Sequence, residues 1–199
     1  MLDINSNIQF LMRWFHFIFG ILWIGHLYFF NFVNGVVMKT LDGPTKQKVV
    51  PELMPRALWW FRWGALVTWF TGVGQIVWKY WIASDGGWSA FMGSTWGQWI
   101  SLGAVFGTVM FINVWCVIWP AQKEIIAAVK AGQTPNAAKA ERARKASKLN
   151  TFLSIPLLFA MGAASHYPLS SPVVMVVAIA GGFIIAHGFY KMSLKVGKL

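Results

Sequence analysis

Residues 14–33 read WFHFIFGILWIGHLYFFNFV, twenty positions without one charged side chain. A hydrocarbon core about 30 Å thick is crossed by roughly 20 apolar helical residues rising about 1.5 Å each. The stretch is therefore read as a membrane-spanning helix. The MLDINSNIQF that precedes it carries an acid and no basic cluster. No small-residue cleavage site follows, so a retained helix is expected and not a signal peptide.

Composition extends this reading to the whole chain. Of its 199 residues, 57% are hydrophobic, 17% aromatic and 12% charged, against about 25% charged in soluble domains. The expected fold is an all-α integral membrane protein, a five-transmembrane-helix bundle forming a single membrane domain over 1–199. Its helices are expected at about 9–36, 57–82, 97–120, 149–167 and 172–192, with a basic cytoplasmic loop at about 121–148. Pro156 interrupts the fourth stretch and predicts a kink there. The lone Cys116 excludes an internal disulfide and a CxxCH haem attachment.

Charge gives the direction. Lys39, Lys46, Lys48 and Arg56 follow the first span, and Lys123, Lys130, Lys139, Arg142, Arg144, Lys145 and Lys148 follow the third. Lys191, Lys195 and Lys198 end the chain, so fourteen of the seventeen basic residues fall on one side of a five-span arrangement. By the positive-inside rule that side is cytoplasmic, with the N-terminus outside (periplasmic) and the C-terminus inside. The run KAERARKASK (139–148) predicts a short helix at the cytoplasmic surface that leads into span four, in contact with anionic lipid. A net charge of +11 raises nucleic acid as a partner. Charge lying against a membrane does not make a free basic face, so no nucleic-acid partner is expected.

All four histidines fall in or at the predicted spans: His16 and His26 in the first, His166 ending the fourth, His187 near the inner end of the fifth. An ionisable residue within a membrane segment is a functional-site hypothesis. By depth, His16 can meet His166 in the outer half and His26 can meet His187 in the inner half. Paired imidazoles on facing helices are the axial ligands of b-type haem, so all four are candidate cofactor-binding residues for one or two haem b groups. Arg13 and Arg62 are candidate partners for the propionates. Helical phase sets His16 and His26 about 80° apart, which leaves two haems, or one haem and a structural histidine, open. Each histidine equally suits a bond to a neighbouring carbonyl. Zinc is disfavoured, because no carboxylate lies well inside a span and Cys116, on the third, has no partner.

Three blocks then carry a family resemblance: RWFHFIFGILWIGHLYFFNFVN (13–34), NVWCVIWPAQK (113–123) and ARKASKLNTFLSIPLLFAMGAASH (143–166). In this order they resemble the N-terminal membrane domain of bacterial membrane-bound urate oxidases (PuuD type). The resemblance implies a multi-pass protein of the bacterial inner membrane, tied to respiratory electron transfer. Longer members of that family carry a cytochrome c domain, which this chain, ending at Leu199 without CxxCH, is read as lacking.

Three functional readings follow. The first is a b-type haem protein that transfers electrons between a quinol or other donor and a partner redox protein. The second is a cofactor-free accessory subunit packed on a larger respiratory or photosynthetic membrane complex. The third is a haem-dependent membrane oxidase acting on urate or a porphyrinogen.

Overall fold

The computed structural model describes residues 3–83 and 86–197. Met1, Leu2, Ser84 and Asp85 lie outside the described residues, as do Lys198 and Leu199, which end the expected basic tail and domain. The described residues form helices and no strand. We number them α1 (Ile4–Thr40), α2 (Gly43–Val77, prolonged by a wide turn at Trp78–Ile82), α3 (Gly87–Gly93), α4 (Thr95–Lys130), α5 (Ala137–His166) and α6 (Pro172–Ser193).

Four of these, α1, α4, α5 and α6, are long and apolar enough to cross a membrane. The expected second span, on α2, does not meet that measure. Its segment holds Trp59, Trp60, Trp63, Trp69, Trp78 and Trp81 together with Arg62 and Lys79. Indoles and cations are residues of the membrane boundary and lower the mean hydropathy.

The helices run further on the basic side than the apolar runs do. The expected loop at 121–148 shrinks to residues 131–136, because α4 continues to Lys130 and α5 begins at Ala137. Ala, Glu, Lys and Arg dominate both flanks and are strong helix formers. KAERARKASK is accordingly helical and leads into the fourth span as expected, forming the opening of α5 without a break. Only Leu41 and Asp42 separate α1 from α2, which forces an antiparallel hairpin. Pro156 stands inside an unbroken α5, with its ring against Gly182 of α6: a methyl group added at Gly182 would lie 2.6 Å from Pro156 Cδ.

The main core joins Trp23 and Leu27 of α1 to Leu58 and Phe61 of α2, Met110 and Val114 of α4, and Leu153 of α5. Gly64 lets α1 and α2 touch backbone to backbone, since a methyl group there would sit 3.0 Å from the Trp23 nitrogen. A second cluster seats Trp99 between α4 and α5, with its indole N–H donated to the Leu169 carbonyl at 3.0 Å. The short α3 was not expected. It brings Phe91 against Tyr80 and Trp96, and Ser94 then caps α4 by accepting from the Gly97 amide at 2.9 Å.

Three π-helical turns interrupt the long helices, at Phe29–Asn34, Trp78–Ile82 and Asn113–Ile118. Such turns occur often at functional sites and re-aim the side chains around them. Two of the three contain the asparagines that join the helices below.

Candidate functional site

The imidazoles of α1 turn toward α2. His16 Nδ1 lies 2.9 Å from the Thr68 carbonyl oxygen and 3.2 Å from the Thr71 hydroxyl. His26 Nδ1 lies 2.7 Å from the Leu22 carbonyl, one turn back on its own helix. A carbonyl only accepts, so in both residues the proton sits on Nδ1 and Nε2 keeps its lone pair. This is the tautomer that a histidine ligand uses when a neighbour fixes its ring.

His26 lines a groove of about 470 Å³ between the two helices, walled by Ile21, Leu22, Gly25 and Phe29 of α1 and by Leu53, Arg56, Ala57 and Trp60 of α2. The lining is apolar except at His26 and Arg56. Ligand sites have this make-up, with few polar groups in an apolar wall. Arg56 hydrogen-bonds the Glu52 backbone carbonyl and pairs with the Glu52 carboxylate at 2.7 Å, and both partners are largely exposed. Sequence reasoning missed Arg56 as a site residue. The two-residue link between the helices was the available signal, because the antiparallel register it imposes carries Arg56 across to His26.

His166 and His187 stand apart from this groove, exposed at the end of α5 and on α6. Among the described residues no hydrogen bond or ring contact joins any two of the four histidines. The expected depth pairs, His16 with His166 and His26 with His187, are thus not in direct contact. The reason lies in α1, whose histidine-bearing side packs on α2 while its other side meets α5 and α6. Arg62 stands apart from this groove too. Its guanidinium does not line the groove but lies 4.0 Å from the ring centroid of Trp119 on α4. Arg13 is exposed.

The other side of α1 holds a polar seam. Asn31 donates to the Ser147 hydroxyl at 2.8 Å and accepts from the Tyr190 hydroxyl at 2.7 Å, tying α1 to α5 and α6. The Tyr28 and Ser154 hydroxyls lie 3.0 Å apart. Asn113 donates to Asn150 at 2.8 Å, and Asn150 donates on to the Met110 carbonyl at 3.0 Å. Buried polar groups cost free energy unless bonded, and here each finds a partner. The seam joins helices and leaves no nitrogen over for a ligand.

Among the described residues no three His, Cys, Asp or Glu side chains gather as a metal-ion site. Haem asks less of the protein, one or two axial nitrogens, so the groove at His26 fits it in donor type and in wall chemistry.

The urate oxidase N-terminal family matches residues 88–197, more than half of the chain. The match takes in α4, α5 and α6 with His166 and His187, and leaves α1 and α2 with His16 and His26 outside it. No curated protein and no solved structure matches the chain.

Proposed function

The chain belongs to the urate oxidase N-terminal family, and on that premise we propose that it is a five-span protein of the bacterial inner membrane which holds b-type haem at the α1–α2 groove. Its role is to pass electrons between a quinol or other donor and a partner redox protein. The observation that carries this reading is His26. Its Nδ1–H is spent on the Leu22 carbonyl, its Nε2 is free, and the wall around it is apolar with one arginine at the rim. Haem bound there supplies a one-electron redox centre. Leu22 holds the imidazole in the ligating tautomer, Arg56 would offer charge to a propionate, and Leu53, Ala57 and Trp60 would wall the site with apolar surface. His16, fixed by Thr68 in the same tautomer, is the second candidate ligand.

The fifth span is α2. Trp60, Phe70, Val77 and Ile82 are all exposed along it, and an outward apolar face of that length needs lipid or another protein. With α2 counted, the basic ends of all helices gather on one side, so the N-terminus is outside and the C-terminus inside. Anionic lipid is the natural neighbour of that side.

One observation favours a second reading. His26 is the only histidine that lines the groove. Haem held by one imidazole keeps an open coordination position, which suits a haem-dependent oxidase better than a pure electron carrier.

The test is a reduced-minus-oxidised visible spectrum of the detergent-purified chain, with haem per polypeptide measured as the pyridine complex. A low-spin b-type spectrum supports electron transfer, and a high-spin one that shifts with carbon monoxide supports the oxidase. A folded, colourless protein discards both, and the chain is then an accessory subunit of a larger complex.

A further inference from the structure

Arg62 presents a charge that the protein does not neutralise. Its Nε is buried with no acceptor, and among the described residues the guanidinium has no hydrogen bond and no ion pair. Its only contacts of note are the indoles of Trp119 at 4.0 Å, Trp115 at 5.8 Å and Trp63 at 5.9 Å. Cation–π stacking stabilises a guanidinium but accepts none of its N–H groups.

No described carboxylate is spare. Asp3 and Asp42 accept at the starts of α1 and α2, Glu52 holds Arg56, Glu124 holds Lys139, and Glu141 holds Arg144. Two further donors surround Arg62. The Trp115 indole N–H is buried without an acceptor, and Lys123 Nζ lies 5.6 Å from the Trp119 ring that Arg62 stacks on. Two cations and an idle indole N–H therefore share one aromatic cage between α2 and α4. Trp59 and Trp63 are exposed beside it, and indoles in that setting mark the headgroup level of a bilayer.

We propose that this cage binds the phosphate of one anionic phospholipid, in the leaflet on the basic side of the protein. Arg62 is the principal donor, Lys123 adds charge, and the Trp115 N–H completes the set. A phosphate oxygen accepts several charge-assisted hydrogen bonds, which is what the cage lacks. A free phosphate ion offers the same acceptors. The lipid is favoured by the exposed indoles and by the lipid-facing surfaces of both helices, where a second acyl anchor adds apolar contact.

The experiment uses the full chain in nanodiscs of phosphatidylglycerol and phosphatidylcholine at equal amounts, extracted gently and weighed by native mass spectrometry. One phosphatidylglycerol retained per chain is expected, falling at least fivefold in Arg62→Gln, severalfold in Lys123→Gln and not at all in Lys195→Gln. Lys123 and Lys195 are exposed, so their variants stay folded should Arg62→Gln not. Equal retention in the wild type and in Lys123→Gln, or an equal loss from Lys195→Gln, overturns the site. Displacement of the lipid by millimolar inorganic phosphate in solution overturns the lipid as its occupant.

Discussion

The two sides of α1 solve the same problem in opposite ways. His26 and Asn31 are both polar side chains in an apolar helix, set about 140° apart around its axis. On the α5–α6 side, Asn31 bonds Ser147 and Tyr190 and has nothing left to offer. On the α2 side, His16 and His26 each spend one nitrogen on a carbonyl and keep the other. A fully satisfied polar group specifies packing. A half-satisfied one in an apolar wall is available to a ligand. The difference separates structure from function within one helix, and it can be attacked from either side.

The largest expected effect is on the close contacts that close each side. Gly182→Ala would put a methyl group 2.6 Å from the Pro156 ring and 2.8 Å from its backbone nitrogen. Neither atom belongs to a flexible side chain, so α6 must move off α5. A loss of about 2–3 kcal/mol is expected, in the range of overpacked cores. Gly64→Ala, between α1 and α2, meets backbone at 3.0 Å and needs only a shift of a few tenths of an ångström. It should cost about 1 kcal/mol. Thermal melts of the two variants in one detergent check the order, and the reverse order would mean that the α1–α2 pair is the tighter joint.

Next comes the seam itself. Asn150 is fully buried and bridges Asn113 to the Met110 carbonyl. Asn150→Ala strands the Asn113 amide, and a loss of about 1–2 kcal/mol is expected, since hydrogen bonds within membranes are worth less than burial alone suggests. A double-mutant cycle with Asn113→Ala should show the two losses to be shared and not additive.

The helices were legible because apolar runs and basic ends need no tertiary information. The histidines were legible as the residues that carry chemistry, because imidazole gains nothing from an apolar helix. Their neighbours were not. Depth pairs His26 with His187, but depth says nothing about which face of α1 meets which helix. The π-helical turn at Phe29–Asn34 holds Asn31 of the seam and resets its phase relative to the histidine-bearing stretch, and no periodicity in FFNFVN announces it. The continuation of α4 and α5 into the basic segments was readable from their Ala, Glu, Lys and Arg content.

On the α2 side the expected change is in cofactor and hardly in stability. His26→Ala opens an already open groove, so the melting temperature of the haem-free protein should move by no more than a degree or two, equivalent to under about 1 kcal/mol. Haem per polypeptide should fall to background, while His187→Ala keeps it. Equal losses from both variants would favour the depth pairing of His26 with His187 over the groove.

The smallest effect lies at the helix starts. Asp3 caps α1 and Asp42 caps α2, whereas Ser94, Asn136 and Ser171 cap α4, α5 and α6. The hydrogen bond from the Thr45 side chain, with help from the Thr45 amide and the Lys46 charge, holds Asp42 below the usual carboxylate range, and the hydrogen bond from the Ser6 hydroxyl does the same for Asp3. A carboxylate lowered on folding stabilises the fold fully above its unfolded value, about 3.9, and the gain disappears as pH falls from there through the folded value. Acid should therefore fray the first turns of α1 and α2 while α6, with its Ser171 cap, is unaffected. Glu141 on α5 also titrates low through Arg144, so α6 is the cleaner reference. Amide exchange at residues 45–47 should rise between pH 5 and pH 3 relative to residues 173–176. Asp42→Asn keeps a capping oxygen without the titration, so it should flatten that rise. An unchanged rise in that variant would place the acid sensitivity elsewhere than in the cap.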